Sequence, residues 1–432
     1  LSDKLSAAEN HIIPDERSAV LTDPQAYADG RIYDTYTWLR ANMPLGQAVV
    51  EGFDPFWVVT RQEDIKLISR DNETFHSGDG QFSFMDKGSD EYIRAMNGGD
   101  PHLVHSLVSM DPPEHFKYRR LTQGYFMPQS VKKLEDDIRA IAREFVDKMM
   151  ATEGECDFVS EVALLYPLRV IMSIFGVPVE DEPIMLKLTQ ELFGAQDPEM
   201  SGAVEILSAE QQGEHLRKTV AGFEAYFREL SKKRRETPQD DLSSVIANAE
   251  VDGEPIQEKM EMGYYITVAT AGHDTTSAST AMAMWKLAEN PAEFEKVKAD
   301  PALIPGLVEE AIRWATPIKS FMRFATTDVE VSGAPMRKGD WIMLCYGSGN
   351  RDEAVYDDPD TFRVDRSSSP LLSFGFGPHL CLGMHLAKLE MKILFEELLP
   401  RLRSVRLNGE PRNIPALFIS GPKKVPVKFE AT

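Results

Sequence analysis

Ser373-Phe374-Gly375-Phe376-Gly377-Pro378-His379-Leu380-Cys381-Leu382-Gly383 sets three glycines, a proline and a cysteine in one turn-rich run, directly before a helical pattern from Met384 to Leu399. Glycines at this spacing permit positive φ and let a flat ligand come close to the backbone. A cysteine just before a helix meets free N–H groups and the positive end of the dipole, which favour thiolate over thiol. An iron-ligating sulfur needs that ionisation. A lone cysteine in a turn would be better read as a buried structural residue, so the rest of the chain decides.

The 432 residues are 42% hydrophobic and 27% charged, as in a water-exposed globular protein. No repeat, no Gly/Ser tract and no linker divides them, so one large domain, 1–432, is the simplest reading. Net charge is −22, from 69 acidic against 47 basic residues. A phosphate-backbone binder needs the opposite balance, which argues against nucleic acid. An acidic protein partner would have to find a local basic patch. Cys156, Cys345 and Cys381 are few, odd in number and far apart. That argues against a disulfide framework, fits a reducing compartment such as the cytoplasm, and offers no zinc cluster. Leu1 to Arg17 is polar with no apolar core. The most apolar stretch, Val162 to Val179, is interrupted by Pro167 and Arg169 and is too polar for a membrane span.

Along the chain, Val49–Phe53 and Phe56–Thr60 flank the turn signal Asp54-Pro55 and read as a strand pair. Residues 77–105 are rich in turn formers, with Phe82, Phe84 and Met85 between them, and read as a surface loop. Pro112-Pro113-Glu114 starts a helix that puts His115 and Arg119 four apart on one face. Two such donors suit a carboxylate; by themselves they also fit a solvated face. From Ser130 to Gln239 the pattern is mostly amphipathic helix.

Between Pro255 and Pro291 lie 35 residues without proline. They predict one helix of roughly 50 Å at about 1.5 Å per residue. Tyr264 to Ala271 is apolar or small all round and therefore buried. Then Gly272-His273-Asp274-Thr275-Thr276 breaks the local rules for a helix interior. Rules broken inside a buried helix point to a functional site. A threonine hydroxyl there can bond the carbonyl one turn back and open the helix enough for a diatomic molecule. The bland alternative is a packing kink. Glu310 and Arg313, at i,i+3, can pair on a shorter helix that ends at Pro317.

Together these stretches resemble the cytochrome P450 family. Phe374-x-x-Gly377-x-x-x-Cys381-x-Gly383 matches its haem-binding loop, with His379 two residues before the cysteine. Ala271-Gly272-x-Asp274-Thr275 is similar to its oxygen-activation motif, and Glu310-x-x-Arg313 with Arg366 to its structural Glu/Arg triad. His115-x-x-x-Arg119 resembles its propionate-binding helix, and Arg323 its second propionate arginine. The resemblance implies a mainly α fold with small β-sheets, a single helix-rich prism. Haem b would lie between the long central helix and the Cys-loop helix. It implies Cys381 as the axial ligand of the haem iron. His115, Arg119, Arg323, His379, Phe374 and Gly272 would bind the cofactor, and Thr275 and Asp274 would control proton delivery. His273 takes no role. Residues 77–105 would form a lid, and Phe321 and Met322 would border the substrate. Many bacterial members carry a histidine where this chain has Leu371, so one propionate partner is replaced. Microsomal members carry an N-terminal membrane anchor; this chain looks like the soluble bacterial type.

The implied activity is a monooxygenase that inserts one atom of O2 into a small apolar substrate. Thr270–Thr276, Lys319–Arg323 and His385–Lys392 look like the terpineol-hydroxylating bacterial subgroup. That suggests a monoterpenoid or an alkyl- or polycyclic-aromatic hydrocarbon. Electrons would come from NAD(P)H through a reductase and a 2Fe-2S ferredoxin docked near Lys117, Arg120, Lys132 and Lys133. The alternative from another class is a haem-thiolate sensor without turnover, which has no need of Asp274 and Thr275. A peroxide-driven enzyme of the same fold typically replaces that pair, and a non-haem cysteine nucleophile leaves His115, Arg119 and Arg323 unexplained.

Overall fold

The computed structural model describes residues 11–193, 197, 199, 208–367 and 371–432. The first ten residues of the polar N-terminal stretch, and parts of the amphipathic region before Gln239, lie outside them. Helices dominate, with small sheets at the margins, as the resemblance implies. The largest core gathers buried residues from the helices Glu135–Met150, Leu165–Phe175, Ala209–Glu236, Ile304–Ala315 and Met384–Leu398 around the chain's central segment. Arg313 shows why a charge can sit in such a core. It is 1% exposed, and its guanidinium donates two hydrogen bonds of 2.8 Å to Glu310 and two more to the carbonyls of Asn350 and Pro359. Arg366 joins the same carboxylate at 3.0 Å, completing the expected triad.

A five-stranded sheet runs in the order Leu45–Ala48, Phe56–Val59, Trp341–Cys345, Ser320–Ala325, Phe75–His76. Phe56–Val59 and Trp341–Cys345 pair parallel; the other neighbours are antiparallel. The first strand lies earlier than its sequence pattern suggests. Leu45–Ala48 pairs with Phe56–Val59, and residues 49–55 form the connection, because the Gln47 carbonyl accepts from the Ile13 N–H and the Gln47 N–H donates to the His11 carbonyl, anchoring that segment instead. Strand alternation also separates Phe321 from Met322. Phe321 faces the interior cavities, whereas Met322 packs on the opposite face with Phe84, Tyr36 and Met343. Met322, expected beside Phe321 at the substrate, therefore lines neither of the two cavities.

The long central helix is two helices, Glu258–Ala271 and Asp274–Glu289. The ladder changes at the junction: His273 N–H reaches the Thr270 carbonyl, and the Thr275 hydroxyl donates to the Ala271 carbonyl at 2.9 Å. A side-chain donor thus occupies a backbone acceptor, which is how such a helix is opened. Residues 77–105 contain a helix, Lys87–Met96, packed on Ala209–Glu236. The end of this segment presses on the central helix so closely that a Cβ at Gly263 would run into the His105 carbonyl.

Candidate active site

The loop before Met384–Leu398 is built by its glycines. Gly375 and Gly377 have φ of 69° and 71°, and a Cβ on Gly377 would collide with the Ser69 carbonyl. The Leu380 and Cys381 N–H groups then close back onto the Gly377 and Phe374 carbonyls at 3.1 and 2.8 Å. Asn350 holds the loop from behind, donating to Ser373 Oγ and accepting from the Leu372 N–H. The result presents Cys381 to an internal cavity of about 210 Å³, bounded on the other side by the break in the central helix. The sulfur's open surface is cavity surface. Burial pushes the thiol pKa up, and the Gly383 N–H and the Arg119 charge oppose it. The helix-end effect read from the sequence is present, but desolvation outweighs it in the protein alone.

Of the nine residues expected at the site, eight line this cavity: Cys381, Phe374, His379, His115, Arg119, Arg323, Gly272 and Thr275. The walls suit a dianionic ligand. Arg323 is 3% exposed, and its guanidinium donates to its own strand at the Met322 carbonyl. Arg119 donates to the Leu380 carbonyl at 2.7 Å. His115 is fully buried, and neither ring nitrogen has a partner. Burial, and then the Arg119 charge, hold it down to about 4. His379 lies 4.6 Å from it, ring to ring, and is also pushed well below the usual histidine range, first by burial and then by Arg323. Such a group of underused donors costs stability unless an acceptor arrives. Two propionate carboxylates would fit this donor set, and Cys381 would be the residue to hold the iron. Leu371, where a histidine is common, packs against the core.

Asp274 is the exception. It stands behind the helix wall, outside the cavity lining, with Oδ2 unpartnered and its pKa raised by burial. Sequence reasoning missed two other residues. Ser77 meets His379 Nε2 at 3.1 Å, joining the lid segment to the cradle, and nothing in its local pattern signals this. Glu390 is buried in the cavity wall, its pKa raised far above the carboxylate range by burial. Its place between Leu386 and Leu394 on one apolar helix stripe was the available signal.

A second cavity of about 310 Å³ adjoins the first at Thr267, Ala271, Thr275, Ile318 and Phe321. Its walls are mainly apolar, with Phe82, Leu216, Val220 and Phe418. The lid segment contributes His102, so residues 77–105 do cover a chamber and are more than surface loop. Among the described residues, no helix is long and apolar enough to cross a membrane.

The family model for cytochrome P450 matches residues 58–304 and 301–429. Cytochrome P450-terp of a Pseudomonas species is 46% identical over 419 residues, covering 96% of this chain and 98% of that protein. The crystal structure of CYP108D1 from Novosphingobium aromaticivorans superposes with a TM-score of 0.90 at 43% identity, over 98% of this chain and 100% of that one. Mycobacterium marinum cytochrome P450 CYP268A2, in complex with pseudoionone, gives 0.85 at 30% identity, over 95% and 97% of the two chains. The chain therefore belongs to the cytochrome P450 family: it is a haem-dependent monooxygenase of the bacterial type, near the terpineol-hydroxylating branch.

Proposed function

We propose that the chain hydroxylates a compact apolar substrate, a monoterpenoid or an alkyl- or polycyclic-aromatic hydrocarbon, held in the chamber above Thr275. The observation that carries this reading is the meeting of a cation-lined cavity, facing Cys381, with an apolar chamber at Thr275. Similarity to cytochrome P450-terp supports the terpenoid class. Haem b, when bound, supplies activation of O2 by two electrons and delivery of one oxygen atom; the protein supplies binding, orientation and protons.

The chain's own residues divide that work. Cys381 offers the thiolate that holds the iron, and the turn at Gly377–Leu380 fixes where its sulfur points. Arg119, Arg323, His115 and His379 hold the carboxylates. Thr275 Oγ1 stands at the junction of the two cavities, where a hydroxyl can receive a proton from one side and donate one to the other. Asp274, with its carboxyl pushed towards the protonated form, is the proton source one residue away. Phe82, Phe321 and Phe418 orient the substrate and keep water out. This control of protons is what a sensor would lack.

Electrons arrive from NAD(P)H through a reductase and a 2Fe-2S ferredoxin that docks on the Cys381 side. Lys132 and Lys133 are exposed and Arg120 is open to solvent, whereas the Lys117 ammonium is held by Asp252 at 2.6 Å and Glu114 at 3.2 Å. The chain acts as one cytoplasmic domain, in keeping with its three free cysteines.

The test is the optical spectrum of the purified protein, resting and then reduced under carbon monoxide, for the wild type and Cys381→Ser. A thiolate-type Soret band that the substitution abolishes, with the fold retained, supports the assignment. A band that survives removes Cys381 as ligand. Titration with terpenes and aromatic hydrocarbons then names the substrate class by which compounds shift the resting band.

A further inference from the structure

His273 has no part in the reaction above, yet it is fully buried beside the acid that the reaction relies on. Its Nε2 lies 2.8 Å from the Leu164 carbonyl oxygen. A carbonyl only accepts, so Nε2 keeps its hydrogen and the tautomer follows from the network. Nδ1 has no hydrogen-bond partner, and neither has Asp274 Oδ2. Across the gap, His273 Nδ1 stands 3.7 Å from Asp274 Oδ1. That is just beyond a hydrogen bond and within a small side-chain rotation of one.

We propose that His273 is the positioning partner of Asp274, sharing one proton between Nδ1 and Oδ1, and that it is the closed end of the proton path rather than a link in it. The inference rests on the reading of Asp274 as proton source.

A proton count carries the argument. The pair is neutral overall whether it is carboxylic acid beside imidazole or carboxylate beside imidazolium, and both forms hold one exchangeable proton. Removing that proton leaves a lone buried carboxylate; adding another leaves a lone buried imidazolium. Each is costly where the side chains are desolvated. The pair therefore holds one proton firmly and refuses a second. When the Asp274 O–H bond breaks to release H+ towards Thr275, the carboxylate left beside neutral His273 takes one proton back from water.

The direction of travel follows from burial. His273 has no exposed surface, and beyond Nε2 lies a carbonyl that cannot pass a proton on. Asp274 keeps 15% of its side-chain exposure, so protons enter and leave there. Glu390 meets the same helix at Thr276, whereas the titratable side chain that faces Asp274 is His273.

The experiment compares Asp274→Asn and His273→Gln in the haem-loaded protein, first at rest by spectroscopy and then in turnover. Glutamine can still donate an amide N–H to the Leu164 carbonyl but has no second site for a proton. In the infrared difference spectrum, the carboxylic-acid C=O band lost in Asp274→Asn identifies the shared proton. The inference expects His273→Gln to shift that band, and Asp274→Asn to shift the 15N resonance of His273 Nδ1. The ratio of product formed to NAD(P)H consumed should fall by about tenfold in His273→Gln, short of the roughly 10²–10⁴-fold that a direct acid–base group contributes. An Asp274 band unmoved by His273→Gln, or an Nδ1 resonance indifferent to Asp274→Asn, overturns the pairing. Unchanged coupling in Asp274→Asn would instead refute Asp274 as proton source, which the resting spectra separate from the pairing itself.

Discussion

Glu310→Gln removes one charge from a place that has no water to replace it. The Glu310 carboxylate is 1% exposed and accepts from Arg313 Nε and Nη2 at 2.8 Å, from Arg366 Nε at 3.0 Å and from the Arg363 N–H at 3.0 Å. Glutamine is nearly isosteric but turns one acceptor oxygen into an N–H2 that faces arginine. Two guanidiniums then share no anion. Breaking a buried pair this way costs about 3–5 kcal/mol, a large part of the roughly 5–15 kcal/mol that holds a typical domain folded. The damage should reach the haem loop, because Arg313 also bonds the Asn350 carbonyl and Asn350 positions Leu372 and Ser373. A matched control is next door. Glu309 pairs with Lys388 at 2.7 Å, with both side chains 33% exposed, so Glu309→Gln should cost under about 1 kcal/mol. Urea unfolding followed by tryptophan fluorescence and Soret absorbance gives both numbers. If Glu310→Gln costs no more than Glu309→Gln, the buried-network reasoning is wrong.

Thr275→Ala frees the Ala271 carbonyl and removes the hydroxyl between the two cavities; NAD(P)H consumption should persist while most of it ends as peroxide, and tight coupling in a product-and-peroxide assay would count against Thr275. Gly263→Ala sets a methyl against the His105 carbonyl, so the lid segment must shift; substrate dissociation constants from Soret titration should rise severalfold, with the carbon monoxide spectrum unchanged. In haem-free protein His115 is held at about 4 against an ordinary 6.5. Between those values the unfolded chain binds a proton that the folded chain refuses, so stability falls as pH falls through that window. His115→Phe should therefore flatten the drop in urea midpoint between about pH 7 and about pH 5, although His379 keeps part of the slope.

The sequence carried the site further than the fold's details. The Cys381 loop, the Glu310–Arg313 pair and the His115/Arg119 face have local spacings that carry the family resemblance, which in turn implied Arg366 and the cofactor roles, and the structure brings these residues together. The two-helix character of the central segment was only half legible. Gly272 and Thr275 announced a disturbance, but whether a helix bends or ends depends on which carbonyls the side chains capture. The first strand was misplaced because its edge is held by backbone bonds from Gln47 to His11 and Ile13, which lie more than 30 residues earlier in the chain. Met322 was misassigned by adjacency, since a strand sends neighbours to opposite faces. His273 looked dispensable because its partner, the Leu164 carbonyl, is 109 residues away. Tertiary partners of this kind leave no local pattern.

The charge distribution limits how the cofactor is held. The chain carries −22 overall, so its exterior field repels an anion at a distance. The attraction must then act at contact. Arg323 and His115 lie in the interior, where charges are poorly screened, whereas surface charges lose each other beyond a Debye length of about 10 Å at 0.1 M salt. Both histidines are pushed towards the neutral form, so on the proposed assignment the two arginines would supply the fixed charge, and His115 and His379 would supply hydrogen bonds and, as carboxylates approach, gain reason to protonate. Leu371 fits this division: a cradle with two arginines, Arg323 buried and Arg119 partly exposed, would already match two carboxylates in charge, and a further histidine would add a donor without being needed for balance. The acidic exterior has the opposite consequence for the electron carrier. On the proposed docking at the exposed Lys132 and Lys133, that small patch would have to outweigh repulsion from the rest of the surface, whereas cofactor retention would depend on the interior.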